Sequence, residues 1–208
     1  MVELATTDRP AVLCLQEVPV WALPRLAAWS GMRAHSLVAR PPRRPAALAA
    51  AITRLNNGFF RSRLAGQANA ILVHASLHAV DLGGRQINAD GRERRVVHAV
   101  RVEAIGVVAN LHASNAAADI VAPELERAQR FVEAVAAHDE QRILAGDFNL
   151  AKPALPGYEG GGPGVDHILV AHAEAAPPAV WARERRTVNG RLLSDHAPVD
   201  RLVEPSRA

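Results

Sequence analysis

Several apolar runs in this chain end in small groups of side chains that can bind a cation, orient water or move a proton. The fullest is ILAGDFNL at 143–150, where Ile143, Leu144 and Ala145 read as a buried strand and Gly146 lets the backbone approach a neighbour closely. Asp147 and Asn149 follow two positions apart, so an extended chain puts them on one face at the strand's C-terminal end, with Phe148 turned into the core. A carboxylate and an amide so placed suit metal-assisted attack of water on phosphorus. The same spacing also describes a turn whose side chains cap nearby backbone.

Other strand ends repeat the pattern. AVLCLQEV at 11–18 runs into Gln16 and Glu17, and VVANLHAS at 107–114 into Asn110 and His112, again two apart and on one face. VDHILV carries Asp166 at its entrance, and RLLSDHAPV is interrupted by Ser194, Asp195 and His196. Taken singly, Glu17 reads as a solvated charge, His112 as a bystander and Asp195–His196 as a turn device. Asp166 is nonetheless available to hold one nitrogen of the His196 ring. The glycine-rich GYEGGGPG at 157–164 reads as a flexible loop, since no helix start follows it to cradle a phosphate.

The positioning elements follow from periodicity. Residues 20–29 suggest a short helix and 32–39 a strand, before the proline-rich RPPRRP at 40–45. Leu48, Ile52, Leu55 and Phe59 make a helical stripe expected to face the core, flanked by arginines that read as a solvated face. NAILVHAS at 69–76 is a strand, Gly83–Gly84 marks a turn, and 94–103 alternates as a strand with one buried face. From Asp119 to His138 an amphipathic helix starts with acidic residues, and Asn189–Gly190 predicts a hairpin turn.

Composition bounds the class. A chain of 208 residues with 49% hydrophobic and 22% charged side chains is long enough for one full core. A net charge of +3 fits an anionic partner without requiring one. Lys152 is the only lysine among 24 cationic side chains, which a GC-rich coding bias explains as well as phosphate recognition does. Cys14 stands alone, excluding an intrachain disulfide. No run reaches the ~18 apolar residues of a membrane span, and no signal-peptide layout opens the chain, so a cytoplasmic protein is expected.

Taken together, the polar ends QE, NLH, GDFN, VDH and SDH closely resemble the endonuclease/exonuclease/phosphatase superfamily typified by deoxyribonuclease I, over nearly the whole chain. The resemblance implies an α/β (α+β) four-layer α/β/β/α sandwich of two packed mixed sheets. It implies a magnesium-dependent hydrolase of phosphate esters, with manganese as a substitute ion and nucleic acid the favoured substrate. By position, Glu17 and Asp195 are expected at the metal, and Asp147 orients or deprotonates the attacking water. Asn149 fixes that water or a phosphate oxygen, and His196, oriented by Asp166, faces the scissile phosphate. His112, with Asn110 behind it at the phosphate, stabilises developing charge or protonates the leaving oxygen. A phosphatase or sphingomyelinase is the alternative within this fold, and a non-catalytic nucleic-acid-binding module the alternative outside it.

Relatives open with a further strand ending in an asparagine beside the metal. Here Met1 is followed by what resembles the last turns of the subsequent helix, so 1–208 is expected to be a single domain shortened at its start by roughly 30 residues, the length of a strand and most of a helix.

Overall fold

The computed structural model describes residues 1–55, 65–89 and 93–205. Short helices α1 (Val2–Ala5) and α2 (Leu26–Ser30), with a 3-10 turn at Val20–Arg25, surround strands β1 (Val12–Val18) and β2 (Arg33–Arg40). After α3 (Ala46–Leu55) come β3 (Gln67–Val73), β4 (Ala79–Gln86), β5 (Val96–Val102) and β6 (Gly106–His112). Helix α4 (Ala118–Val135) leads to β7 (Arg142–Asp147), β8 (Glu159–Gly161) and β9 (Asp166–Ala171). β1, β3 and β2 pair in that order, antiparallel throughout, so this sheet is not mixed among the described strands. The second sheet runs β4-β5-β6-β7-β9-β8 and is mixed, because α4 crosses over to make β6 and β7 parallel.

Three apolar layers glue four structural layers. Ile71 and Val73 meet Val100, Val108, Ile143 and Val170 between the sheets. On the outer face of the second sheet, Val121, Leu125, Ala128 and Val132 of α4 pack on Val97, Ala109, Leu144 and Phe148. On the outer face of the first, Ala22, Leu26 and Met32 cover Ala70 and Leu72. Side chains of β3, β5 and β6 are therefore wanted inside on both faces, which is why these strands read as near-continuous apolar runs.

Four expectations change here. Within 94–103 the strand itself, Val96–Val102, is buried on both faces between the first sheet and α4 except at Arg101. Gly83 and Gly84 do not turn the chain but sit at a register shift inside β4, a bulge in which a Cβ on Gly84 would meet the carbonyl of Val97 at 2.3 Å. The glycine-rich loop is partly ordered as edge strand β8. In α3, Leu48 is exposed rather than facing the core, and Ala49 is buried in its place; the side chains of Ile52, Leu55 and Phe59 lie outside the described residues. The remaining strands β10 (Ala179–Val180), β11 (Thr187–Val188), β12 (Arg191–Leu192) and β13 (Val199–Asp200) form two ribbons. Asn189 and Gly190, with φ of 51° and 72°, turn β11 into β12 as their types predict.

Candidate active site

Strand register builds the centre of the site. His112 ends β6 directly beside Asp147 at the end of β7, and Asp147 in turn pairs with Asp166 at the start of β9. Three polar side chains thus stand in a row across adjacent strands about 5 Å apart. Gly146 makes the row possible. Its φ of 138° and its approach to Leu111, whose carbonyl a Cβ would meet at 2.0 Å, exclude any larger residue before Asp147. Phe148 then plunges into the core, fully buried against the edge of the His167 ring.

Asp147 and Asn149 are both a turn and a pair of site residues. The chain leaves extended geometry at Asn149, whose φ is 49°. Its backbone N–H donates to Asp147 Oδ1 at 2.9 Å, and its side-chain amide donates to the carbonyl of Ala113 at 3.0 Å. The capping that sequence leaves as an alternative is what fixes the carboxylate. Burial raises the pKa of Asp147 above the ordinary carboxylate value, the neighbouring Asp166 adds to this, and the Asn149 N–H opposes it.

The SDH segment supplies His196, whose ring Nδ1 lies 2.8 Å from Asp166 Oδ2. Burial alone would lower its pKa, but Asp166, then Asp147 and Asp195, raise it on balance. Ligand atoms of Asp147, Asp166 and His196 all lie within 4.8 Å of one another, and the carboxylate oxygens among them are donors that suit a divalent cation of the magnesium or manganese type. Glu17 and Asp195, the pair expected at the metal, are not part of this group. Asp195 is exposed, with Oδ1 accepting from the backbone of His196.

Glu17 reaches the site from the first sheet. A register shift between Leu15 and Val18 bulges β1 there, and Glu17 takes a φ of 55°, a conformation costly for a side chain of its size. The bulge separates its neighbours' directions: Gln16 points inward to Asn110, while the exposed Glu17 accepts from Gln67 Nε2 at 3.0 Å. Glu17, Gln67, Asn69, Arg94, Arg95 and His112 line one narrow cleft between the sheets.

Asn110 is where the structure departs from its expected place at the phosphate. It shares a face with His112 as read, but that face is the interior: Asn110 is fully buried, donates to the carbonyls of Leu15 and Ala70, and accepts from Gln16. Its amide ties the sheets together and cannot reach a substrate.

Two site residues escape sequence reading. Arg95 NH1 lies 2.9 Å from His112 Nε2, and its NH2 donates to Glu93, which also pairs with Arg40. Within RERR nothing marks this arginine from its neighbours except its place immediately before a strand. Glu124, buried on α4, accepts from both the backbone and hydroxyl of Ser114 and so fixes the loop after His112. Its signal is a lone acid on an apolar helix face.

The family model described as Endonuclease/Exonuclease/phosphatase family matches residues 1–196. The chain belongs to the endonuclease/exonuclease/phosphatase family. Similar solved structures include a functionally unknown conserved protein from Enterococcus faecalis V583, at 15% identity and TM-score 0.71, covering 99% of this chain and 91% of that one. The mannosyl-6-phosphatase Bt3783 of Bacteroides thetaiotaomicron is 14% identical with TM-score 0.66, covering 97% and 88%. TDP2 from Caenorhabditis elegans is 12% identical with TM-score 0.65, covering 99% and 67%. At these identities the likeness is one of fold, the deoxyribonuclease I-like sandwich. No curated protein matches in sequence. Membership of the endonuclease/exonuclease/phosphatase family makes the chain a phosphoester hydrolase rather than a non-catalytic binding module. No described helix is long and apolar enough to cross a membrane.

Proposed function

We propose that this family member is a phosphodiesterase that cleaves nucleic acid, with magnesium as its natural ion and manganese as a substitute. The observation that carries the reading is the polar row: His112, Asp147 and Asp166 side by side, with His196 held over it by Asp166. Asp147, with Glu17 as a further carboxylate, would hold the cation, and a bound ion would neutralise phosphoryl oxygens and acidify water, while Asp166 and His196 stand beside it as a hydrogen-bonded pair. Asp147 orients the attacking water beside the ion, with its carboxylate fixed by the Asn149 N–H. With Nδ1 committed to Asp166, His196 donates from Nε2 to a phosphoryl or leaving oxygen. Arg95 adds a permanent positive charge beside His112, where charge accumulates in the transition state.

The test is a panel of duplex DNA, RNA, a chromogenic diester, sphingomyelin and sugar phosphates, each with magnesium and with chelator. Chelator-sensitive cleavage of the nucleic acids and the diester is expected. Turnover confined to sugar phosphates or sphingomyelin, or DNA cleavage unchanged in His196→Ala, overturns the reading.

A further inference from the structure

A hollow of ≈ 390 Å³ opens outside the polar row, where the end of β4 meets α4, and Arg85, Gln86, Arg127 and Arg130 line it. No carboxylate is among its described lining residues. Arg127 is held in place by a hydrogen bond from NH1 to the carbonyl of Ile87 at 2.7 Å. Arg130 has an acidic neighbour, Glu126, but at 3.7 Å with both side chains mostly exposed, a pairing that offsets little charge. Three guanidinium groups around one hollow repel one another, and an anion seated among them relieves that repulsion.

The position of the hollow says which anion. Arg85 and Gln86 pair with Val97 and Val96 across the β4–β5 ladder, and the next residue back, Arg95, touches His112. The backbone N–H of Ile87 donates to Arg95 as well. The hollow and the row therefore lie at the same end of one sheet, the hollow on the α4 side, and with β4 and β6 two strand spacings apart they are separated by at least about 10 Å. That distance is about three nucleotides of duplex rise. A small phosphate ester held at the row does not extend so far, whereas a polynucleotide carries further phosphates at regular intervals along its chain.

We infer that the Arg85–Arg127–Arg130 hollow receives backbone phosphates of a nucleic-acid substrate a few nucleotides from the bond being cut. This rests on the reading of the polar row as a nuclease centre. The hollow contributes affinity without sequence preference, because phosphates carry no base information. It touches none of the reacting atoms, so it affects long substrates and leaves small ones alone.

The experiment measures binding of a fluorescent DNA oligonucleotide by anisotropy, in chelator and across a salt series, alongside magnesium-dependent hydrolysis of a chromogenic diester. The proteins are the parent, Arg85→Gln/Arg130→Gln and Arg85→Lys/Arg130→Lys; Arg127 is left intact because it braces Ile87. The glutamine pair is expected to bind about tenfold or more weakly at low salt, with its log–log salt slope reduced by about 2, one for each phosphate left without its cation. Diester hydrolysis should be unchanged, and the lysine pair should retain most of the affinity, showing that charge and not folding is responsible. Equal affinity and slope in parent and glutamine pair, or no binding by the parent at low salt, overturns the inference. A parent that binds DNA through these arginines yet hydrolyses no ester would instead overturn the nuclease reading and leave the hollow standing as a nucleic-acid site.

Discussion

Arg95 places NH1 2.9 Å from Nε2 of His112. An arginine does not give up its proton, so Nε2 must accept, and the ring is neutral with its own proton on Nδ1. Burial pushes the pKa of His112 down to about 3, with Arg95 and then His196 adding to the effect. In this arrangement His112 cannot be the acid that protonates the leaving oxygen. The proposed proton donor is then His196: burial lowers its pKa, but the carboxylates of Asp166, Asp147 and Asp195 raise it on balance.

Replacing Arg95 by methionine keeps the bulk and removes the charge. The His112 pKa should rise from about 3 towards the ordinary histidine value, read from its ring proton shifts by NMR. The turnover number should fall by about a hundredfold, the usual effect of losing one donor to developing charge. A His112 titration that stays where it was would show that burial alone depresses it.

Asp166 and His196 should behave as one unit. Asp166→Asn leaves the ring with a neutral partner, and His196→Ala removes it, so the double variant should lose no more rate than His196→Ala alone. Independent, additive losses would separate Asp166 from His196 and put its role elsewhere in the site.

Divalent ions should raise the melting temperature by mass action, equivalent to about 2.7 kcal/mol at a hundredfold excess over the dissociation constant. Asp147→Asn should abolish that shift, since it removes a charged member of the ligand group. Differential scanning fluorimetry with magnesium, manganese and chelator makes the comparison, and an undiminished shift in the variant would place the ion away from Asp147.

His98 should make the fold sensitive to acid. It is buried in β5, donates from Nε2 towards Asp81 at 3.0 Å, and its Nδ1 finds no hydrogen-bond partner among the described residues. Burial lowers its pKa despite Asp81, with His35 on the other side of Asp81 also opposing a second positive charge. The unfolded chain therefore takes up a proton below about pH 6.5 that the folded chain resists. The contribution to stability is present above that pH and is lost as pH falls towards the depressed folded value. Urea unfolding at descending pH should show this slope, and His98→Gln should flatten it.

Gly146→Ala should destabilise the fold by on the order of 3 kcal/mol through its positive φ and close backbone contact. It should also cost activity, because the displaced backbone is the one that carries Asp147. Chemical denaturation and the diester assay would both register it.

The strand ends were legible because each apolar run stops at a defined residue, and alternation then says which side chains share a face. That logic yields the strand-end places of Asp147 and His112 and the inward turn of Phe148; the pairing of Asp166 with His196 comes from the family resemblance, and only the parallel register shows that Asp147 lies beside His112. It fails where backbone geometry changes within an element. The bulge at Gln16–Glu17 sends two adjacent side chains to different destinations, and the Gly83–Gly84 pair carries the same composition as a turn. Alternation also cannot say which face is solvent, so Asn110 shares its side with His112 yet lies inside. Arg95 had no signal because a run of arginines looks the same whether solvated or aimed at an imidazole.

Asn110 has one more consequence. Its amide binds the carbonyls of Leu15 and Ala70 and the side chain of Gln16, while Asn69 crosses the other way to the carbonyl of Val96. Apolar layers resist separation of two sheets but tolerate sliding, whereas hydrogen bonds have a fixed length and direction. These two asparagines act as dowels that stop shear between the sheets, and the gap between Glu17 on one and His112 on the other depends on them. The width of the cleft can therefore be tuned from the dry interior, by Asn110, which lies behind the cleft's own lining.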